Sequence, residues 1–391
     1  IVVYDRASEL IAQRSMAAAS TLLGPDEELV VYKNNSDGKG TSYGCHENNL
    51  VDRATPFGHI VTHSTAHFVT RQIYTGAGKV GSEVAGMRTD EVDYQLTQRA
   101  DFFEEEIGLE TTLKRPIINT RDEPHADARR YRRLHVIVGD ANPSQVATFL
   151  KVGTTAIVLA LVEDDAFPRE IRFAAPVPAM RQVSHDLSLG APLELDDGTT
   201  MTALEIQWEI LDASRKYVEE HGTDNVGGHT AHEVLDRWEA VLAGLETDPM
   251  QLADQLDWVA KYRLLDGYRE RHGIGWDDAR LRVMDIQYHD MRPDKGLAAR
   301  VGLERLVDDA EAEIATAEPP HDTRAYFRGR CLQHFPDNVV AANWDSLVFD
   351  VGAEALRRVP MMEPMRGTEA HVARLFDECD SAAELRRRLG S

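Results

Sequence analysis

The stretch RPIINTRDEPHADA at residues 115–128 decides the fold of this 391-residue chain. Pro116 has no backbone N–H, Ile117 and Ile118 are β-branched, and Pro124 disfavours a helical conformation in the residue before it. The stretch is therefore predicted to run extended, so that alternate side chains lie on the same face.

Four polar side chains would share one face of this extended segment, namely Arg121, Glu123, His125 and Asp127. Magnesium prefers carboxylate oxygens, phosphates and water, while a guanidinium binds phosphate oxygens with two parallel hydrogen bonds. An imidazole can add a metal ligand or a proton-transfer group. The pattern is typical of a metal–phosphate site, although a solvated strand face whose charges pair with one another fits the spacing equally well.

Charge and cysteine usage restrict the classes of partner. The chain carries 66 acidic and 43 basic residues, a net charge of −23, which argues against general binding of nucleic acid. Three cysteines at distant positions indicate neither a disulfide framework nor a cysteine-based zinc site, and they favour the reducing cytoplasm. We find no apolar run of membrane-spanning length and no secretory signal pattern, so we expect a soluble protein without a membrane partner.

A second polar segment precedes the first. A strand is predicted at residues 29–32, followed by a turn-rich loop at 34–40 and then by YGCHEN at 43–48. If the last segment is extended, His46 and Asn48 share a face, but a hairpin tip with incidental polar residues is the simpler interpretation. The string HENNL lacks the second histidine of a zinc-protease motif.

The string GAGKVG at residues 76–81 matches a dinucleotide-binding pattern, but an apolar helix does not follow it, so we interpret it as a glycine-hinged loop. Apolar periodicity predicts helices at residues 5–23, 144–163 with a break near Gly153, 202–220, 229–245 and 250–272. Strands are predicted at residues 94–103, 134–138 and 347–349.

The C-terminal part follows a break at Pro319-Pro320. Arg324 and Arg328 are four residues apart, so on a helix they would share a face and could clamp an acidic group or a nucleotide phosphate. Surface salt bridges explain this spacing equally well. Trp344 is either a core residue or a platform on which a base stacks.

The stretch at 115–128 closely resembles the Pup ligase and Pup deamidase/depupylase family, whose members act on the prokaryotic ubiquitin-like protein Pup. The same resemblance is carried by SYGCHEN (42–48), TGAGKV (75–80), YRRLHVIVGD (131–140) and DTRAYFRG (322–329). Within this family, GLETTLK (108–114) and AKYRLLDG (260–267) resemble the deamidase/depupylase branch.

The resemblance implies an α+β fold of the glutamine-synthetase-like carboxylate-amine ligase superfamily. We expect a curved antiparallel sheet flanked by helices at residues 1–315, and a small C-terminal domain at 316–391. ATP, or ADP plus phosphate, would bind with magnesium on the concave side of the sheet. The residues implied are His46, Asn48, Glu123 and His125 for the metal, Arg121 and Trp344 for the nucleotide, and Arg324 and Arg328 for the acidic substrate.

Members of this branch hydrolyse the amide of the C-terminal glutamine of Pup, or the isopeptide bond between Pup and a substrate lysine. Pup and pupylated proteins are therefore the expected partners, with nucleotide acting as a cofactor. The alternatives are a Pup–protein ligase, which forms the isopeptide bond with ATP, and a truncated relic that binds Pup or nucleotide without turnover. The oligomeric state is not predicted.

The sequence departs from the family at its start. Family members open with a Gly-Thr-Glu-x-Glu-Tyr-Gly strand that binds metal, followed by a strand bearing the catalytic aspartate, and neither precedes Ile1. We therefore expect an N-terminal segment to be missing, and we assign no catalytic residue. Smaller departures are Asn49, where the family favours tyrosine, and Ala66-His67, where it favours Pro-Phe.

Overall fold

The structure, a computed structural model, describes residues 1–84, 91–352 and 355–389. The helices are α1 (Val2–Ser20), α2 (Phe57–Thr70), α3 (Gln72–Thr75), α4 (Gln145–Glu163), α5 (Pro176–His185), α6 (Ala203–His221), α7 (Thr230–Thr247), α8 (Asp257–His272), α9 (Ala279–Tyr288), α10 (Asp309–Ala315), α11 (Ala325–His334), α12 (Glu369–Glu378) and α13 (Ala382–Leu389). The strands are β1 (Glu47–Asp52), β2 (Lys79–Val80), β3 (Tyr94–Gln95), β4 (Phe103–Gly108), β5 (Arg115–Asn119), β6 (Tyr131–Val136), β7 (Leu193–Glu194), β8 (Thr200–Met201), β9 (Val339–Ala342), β10 (Ser346–Phe349) and β11 (Arg357–Pro360).

A four-stranded sheet in the order β1-β6-β5-β4 forms the central layer. β6 pairs antiparallel with both β1 and β5, whereas β4 and β5 pair parallel, with Phe103 opposite Arg115. The α+β class is confirmed, but the sheet is mixed rather than purely antiparallel. The reason is that residues 109–114 carry the chain back along β4 instead of closing a tight hairpin, so β5 starts beside the start of its neighbour.

Helices cover one face of this sheet and build the main hydrophobic core. α2, α4, α6 and α7 contact one another, and α2 and α4 also contact strands of the sheet. The expected helix at 144–163 forms with Ser144 as its N-cap, since the Ser144 side chain accepts a hydrogen bond from the Ala147 amide. The break expected near Gly153 does not occur. A Cβ at Gly153 would lie 2.4 Å from Cγ2 of Val234, so the glycine allows α4 and α7 to pack closely.

The apolar length of α4 corrects one expectation from the sequence. Among the described residues, α4 is a helix long and apolar enough to cross a membrane, by length and composition alone. However, 78% of its 18-residue apolar window is buried inside the protein. The helix therefore serves as a core helix in this structure.

The C-terminal residues form a second hydrophobic core of their own. Its members come from α11, α12, α13 and the antiparallel sheet β11-β10-β9, and include Tyr326, Phe327, Leu347, Phe349 and Leu385. This arrangement agrees with a small C-terminal unit, while the boundary between residues 315 and 316 stays a prediction.

Two predicted strands are shorter than expected. Residues 29–32 contribute only an isolated bridge between Tyr32 and Asp290. Residues 94–103 form the short β3 and then a 3₁₀ turn at Ala100–Phe102 before β4 begins. The Thr97 hydroxyl accepts a hydrogen bond from the Ala100 amide at 3.1 Å, so a local side-chain contact replaces the ladder that alternation predicted.

Candidate functional site

Two histidines and an asparagine meet at one end of the central sheet. The register of β1 and β6 places Asn48 opposite His135. His46 Nδ1 lies 3.1 Å from His135 Nε2, and His135 Nδ1 lies 2.9 Å from Asn48 Oδ1. The structure thus brings His46 and Asn48 together through His135, and we call these three residues the imidazole cluster.

His135 is the member of the imidazole cluster that sequence reasoning missed. It stands inside an apolar strand segment, 87 residues from Asn48, and its neighbours in the sequence show no ligand spacing. Only the antiparallel pairing of β1 with β6 places it against Asn48. Cross-strand partners share a face, so a register prediction for these two strands would have identified it.

Burial and nearby cations keep both imidazoles neutral. Burial is the main cause that lowers the pKa of His135 to about 4, and the His46 ring and Arg133 and Arg121 lower it further. The pKa of His46 is also lowered, first by burial and then by the charges of Arg99, Arg121 and Arg133. In the neutral cluster, His135 donates from Nδ1 to Asn48 Oδ1 and accepts from His46 Nδ1, so the ring lone pair left for a metal ion is that of His46 Nε2.

The shared polar face predicted for residues 121–127 is not formed. β5 ends at Asn119, whose side-chain oxygen accepts a hydrogen bond from the Arg121 amide at 2.9 Å. Glu123 pairs with Arg133 at 3.0 Å, and Asp127 pairs with Arg129 at 2.9 Å. Side-chain contacts with the backbone and neighbouring arginines therefore replace the strand alternation on which the prediction depended.

Glu123 nevertheless stays beside β6, the strand of His135, since it pairs with Arg133 at 3.0 Å. The charge of Arg121 lowers the pKa of His135, and that of Glu123 raises it. Asp122 ties this loop to β6, because its Oδ1 accepts the Arg133 amide at 3.2 Å and its Oδ2 lies 2.5 Å from Arg53 Nη1. Loop residues 120–124 are thereby held beside the sheet without being part of it.

His125 turns away toward the C-terminal unit. Its backbone adopts a positive φ of 49°, and its carbonyl accepts a hydrogen bond from Arg324 Nη1 at 2.6 Å. Its Nδ1 lies 3.9 Å from Asp345 Oδ2. Among residues 1–84, 91–352 and 355–389, no three His, Cys, Asp or Glu side chains are grouped to hold a metal ion. The four residues predicted for the metal are therefore divided between two places.

The predicted pair of arginines and the predicted tryptophan lie together in the C-terminal unit. Arg324 is the N-cap of α11 and bonds the carbonyls of His125 and Met361, at 2.6 and 2.7 Å. Arg328 follows one turn later, and its guanidinium carbon lies 5.4 Å from the ring centre of Trp344, which is 66% exposed. Arg324 thus connects the loop at 120–130 to the C-terminal unit, while Arg328 and Trp344 form a stacked, solvent-facing pair.

A protein-family comparison matches residues 1–348 to the model described as "Pup-ligase protein". The chain belongs to the Pup-ligase family. The resemblance found in the sequence motifs is thereby confirmed for nearly the whole length of this family member.

Two curated relatives show how similar this chain is to depupylases and to Pup–protein ligases. It is 53% identical over 390 residues to the depupylase of Acidothermus cellulolyticus, an alignment that covers 98% of the chain and 76% of the relative. It is 39% identical over 385 residues to the Pup–protein ligase of Nakamurella multipartita, covering 96% of the chain and 83% of that relative. The sequence is thus more similar to this depupylase than to this ligase.

Two solved structures share the fold of the family member. The Pup ligase PafA in complex with ADP matches with a TM-score of 0.85 and 33% identity, over 96% of this chain and 83% of that one. The complex between Pup and its ligase PafA matches with a TM-score of 0.86 and 34% identity, over 96% and 77% of the two chains. The predicted fold class is confirmed.

Proposed function

We propose that this protein removes Pup from modified lysines by isopeptide hydrolysis and deamidates the C-terminal glutamine of Pup. The observation that carries the proposal is the higher identity to a depupylase than to a Pup–protein ligase, over nearly the whole chain. The segments at 108–114 and 260–267, which resemble the deamidase/depupylase branch, support the same choice.

We propose ATP, or ADP plus phosphate, with magnesium as the cofactor. The match to a ligase structure in complex with ADP supports nucleotide binding. His46 and Asn48 fit a divalent cation, because His46 Nε2 and the second lone pair of Asn48 Oδ1 lie outside the hydrogen bonds that both residues make to His135. Magnesium favours oxygen ligands, so nucleotide phosphates would complete its coordination. A bound metal would supply charge stabilisation for the developing oxyanion during amide hydrolysis.

The remaining predicted residues take supporting roles in this proposal. Arg121 would contact phosphate, as the family resemblance implies, because a guanidinium binds phosphate oxygens with two parallel hydrogen bonds. Trp344 would stack on the base, since its ring is largely exposed beside Arg328. Glu123 and His125 would join the metal site only after leaving Arg133 and the C-terminal unit, respectively.

Pup and pupylated proteins are the proposed partners, in the cytoplasm and without nucleic acid or membrane. Support comes from the match to a Pup–ligase complex and from the net charge of −23. Arg324 and Arg328 would receive acidic groups of Pup, although Arg324 already donates to two backbone carbonyls.

The test uses the native protein isolated from the cells that make it, with magnesium and ATP. One reaction contains Pup ending in glutamine and is followed by ammonia release and mass spectrometry. A second contains a pupylated model protein and is followed by loss of the conjugate. We expect both reactions to proceed. Conjugate formation from Pup ending in glutamate and a lysine acceptor, without cleavage, would instead identify a ligase, and inactivity in every assay would identify a binding relic.

A further inference from the structure

The two neighbours of His46 in the sequence contact two buried cations behind the sheet. Glu47 begins β1, and alternation directs its side chain away from the face shared by His46 and Asn48. Both Glu47 oxygens bind the Arg71 guanidinium, with Nη1–Oε2 at 3.0 Å and Nη2–Oε1 at 2.5 Å. Cys45, on the other side of His46, has its Sγ 3.7 Å from Nζ of Lys151.

Arg71 is held rigidly by the helical layer. It follows α2 as the C-cap, is 1% exposed, and donates to Thr155 Oγ1 at 2.6 Å and to the Lys151 carbonyl at 3.2 Å in α4. Gly139 packs against the same pair, since a Cβ there would lie 2.7 Å from Glu47 Oε1. The ion pair is therefore enclosed by α2, α4 and the segment after β6.

Burial of this pair is poorly explained by stability alone. Removing two charges from water costs about as much as their attraction returns, so a buried ion pair often stabilises no more than apolar residues of equal volume. A planar guanidinium that binds a carboxylate through two hydrogen bonds does, however, fix the direction of the strand that carries it. Here that strand carries His46 and Asn48.

We propose that Arg71, acting through Glu47, is a positioning residue that sets His46 and Asn48 against His135 for divalent-cation binding. This inference rests on the proposed function of the imidazole cluster as the metal site. Arg71 lies behind the sheet and acts only through the β1 backbone. It resembles the outer partners of metal ligands, whose loss weakens metal binding although they contact no metal.

The test replaces the pair by neutral residues of similar size, Arg71→Met with Glu47→Gln. A matched control, Lys261→Met with Asp285→Asn, removes another buried ion pair, in which Lys261 is fully buried and bonds Asp285 at 2.6 Å. Contacts of Lys261 run to Gly78, Asp285 and His289, outside the imidazole cluster. The native protein and both variants are titrated with Mn²⁺ alone by calorimetry and electron paramagnetic resonance, and their melting temperatures are measured.

We expect the Arg71/Glu47 variant to bind Mn²⁺ roughly 10- to 100-fold more weakly, while the control binds as the native protein does. Arg71→Lys keeps the charge but loses the two parallel hydrogen bonds to Glu47, so its Mn²⁺ affinity should lie between those of the two paired variants. Equal Mn²⁺ affinity in all proteins, or equal losses that follow the melting temperature in both paired variants, would overturn the positioning role. If the native protein itself binds no Mn²⁺, the proposed metal site fails, and the positioning role fails with it.

Discussion

The imidazole cluster and the loop at residues 120–130 are neighbours held in place by different means. In the cluster, the β1–β6 ladder sets the spacing, with Asn48 directly opposite His135. In the loop, individual side-chain contacts set the conformation, and one of them comes from Arg324 of the C-terminal unit. In a strand ladder many backbone hydrogen bonds fix the conformation together, whereas the loop is fixed by a few side-chain contacts that single substitutions can remove.

The difference also affects backbone strain. β1 and β6 have ordinary strand geometry, but His125 in the loop has a φ of 49°, a conformation that is unfavourable for residues other than glycine. Such strain persists only where surrounding contacts enforce it, and it is concentrated at functional sites. The loop should therefore respond to changes in the C-terminal unit, while the imidazole cluster should not.

The largest effect is expected from His135→Ala, which removes the centre of the imidazole cluster. Both hydrogen bonds of the cluster are lost, so His46 and Asn48 lose the ring that orients them. Because the loss of an outer partner alone costs roughly 10- to 100-fold, we expect Pup deamidation to fall by about 100-fold or more, with Mn²⁺ affinity reduced in parallel. Initial rates and metal titration on one preparation provide the measurement.

His272→Ala is the matched control for this prediction, since the exposed His272 ring stacks on Tyr268, away from the sheet. We expect native rates for this variant. Native activity in His135→Ala would remove the imidazole cluster from the active site and leave the loop as the better candidate.

The next effect concerns the contact that joins the loop to the C-terminal unit. Arg324→Ala removes two charge-assisted hydrogen bonds, to the carbonyls of His125 and Met361. We expect the free energy of unfolding to fall by about 2–3 kcal/mol, and cleavage within residues 120–130 by a protease to accelerate. Denaturant titration and limited proteolysis followed by mass spectrometry measure the two changes.

Arg330→Ala is the comparison variant, because Arg330 lies on the same helix but pairs with Glu318 at 2.9 Å, without contacting the loop. It should lose about 1 kcal/mol, less than Arg324→Ala, because a partly exposed ion pair contributes little and the stacking of Arg330 on Tyr326 adds a modest amount. Equal proteolysis of the loop in both variants would show that Arg324 does not hold it.

The same contrast explains which parts the sequence could predict. Apolar periodicity located α6 and α7, because their buried residues recur at helical spacing. Helices also form near the positions predicted for α1, α4 and α8, although α1 buries only Ala7 and Met16. Alternation placed His46 and Asn48 on one face only on the condition that the segment is extended, and it did not favour this over a hairpin tip; the family resemblance singled them out, and the structure forms the strand β1 there. His135 was missed because strand pairing is a long-range property. The predicted common face of residues 121–127 was wrong because β5 ends at Asn119, whose side chain accepts the Arg121 amide, before the alternation reaches these residues.

A third prediction uses pH to probe the imidazole cluster. The folded protein keeps His135 neutral, with its pKa lowered from 6.5 to about 4, chiefly by burial. In the unfolded chain His135 is protonated below about pH 6.5, whereas in the folded protein it stays neutral down to about pH 4. The free energy of unfolding therefore decreases as the pH falls from 6.5 toward 4. After allowance for solvent screening, we expect the loss from this residue to be about 1–2 kcal/mol.

The measurement compares denaturant unfolding of the native protein and of His135→Gln across this pH range. Glutamine cannot take up the proton, so the stability of His135→Gln should decline less steeply with falling pH than that of the native protein. His46, Arg121, Arg133 and Glu123 are present in both proteins, so their own contributions to the pH dependence cancel to first order. Parallel curves would mean that His135 titrates normally and that the cluster is more open to water than the structure indicates.

The smallest effect tests whether the strained backbone of His125 is needed for ligand binding. His125→Gly relieves the positive φ at no steric cost, so the free energy of unfolding should rise by up to about 1 kcal/mol, measured by denaturant titration. Asp165→Gly, at a φ of 51° outside the site, should gain a similar amount. If His125 serves nucleotide or metal, only its variant should also bind ADP with Mn²⁺ more weakly. A gain in stability without any loss of binding would show that the residue merely connects the loop to the C-terminal unit, and that the imidazole cluster alone carries the site.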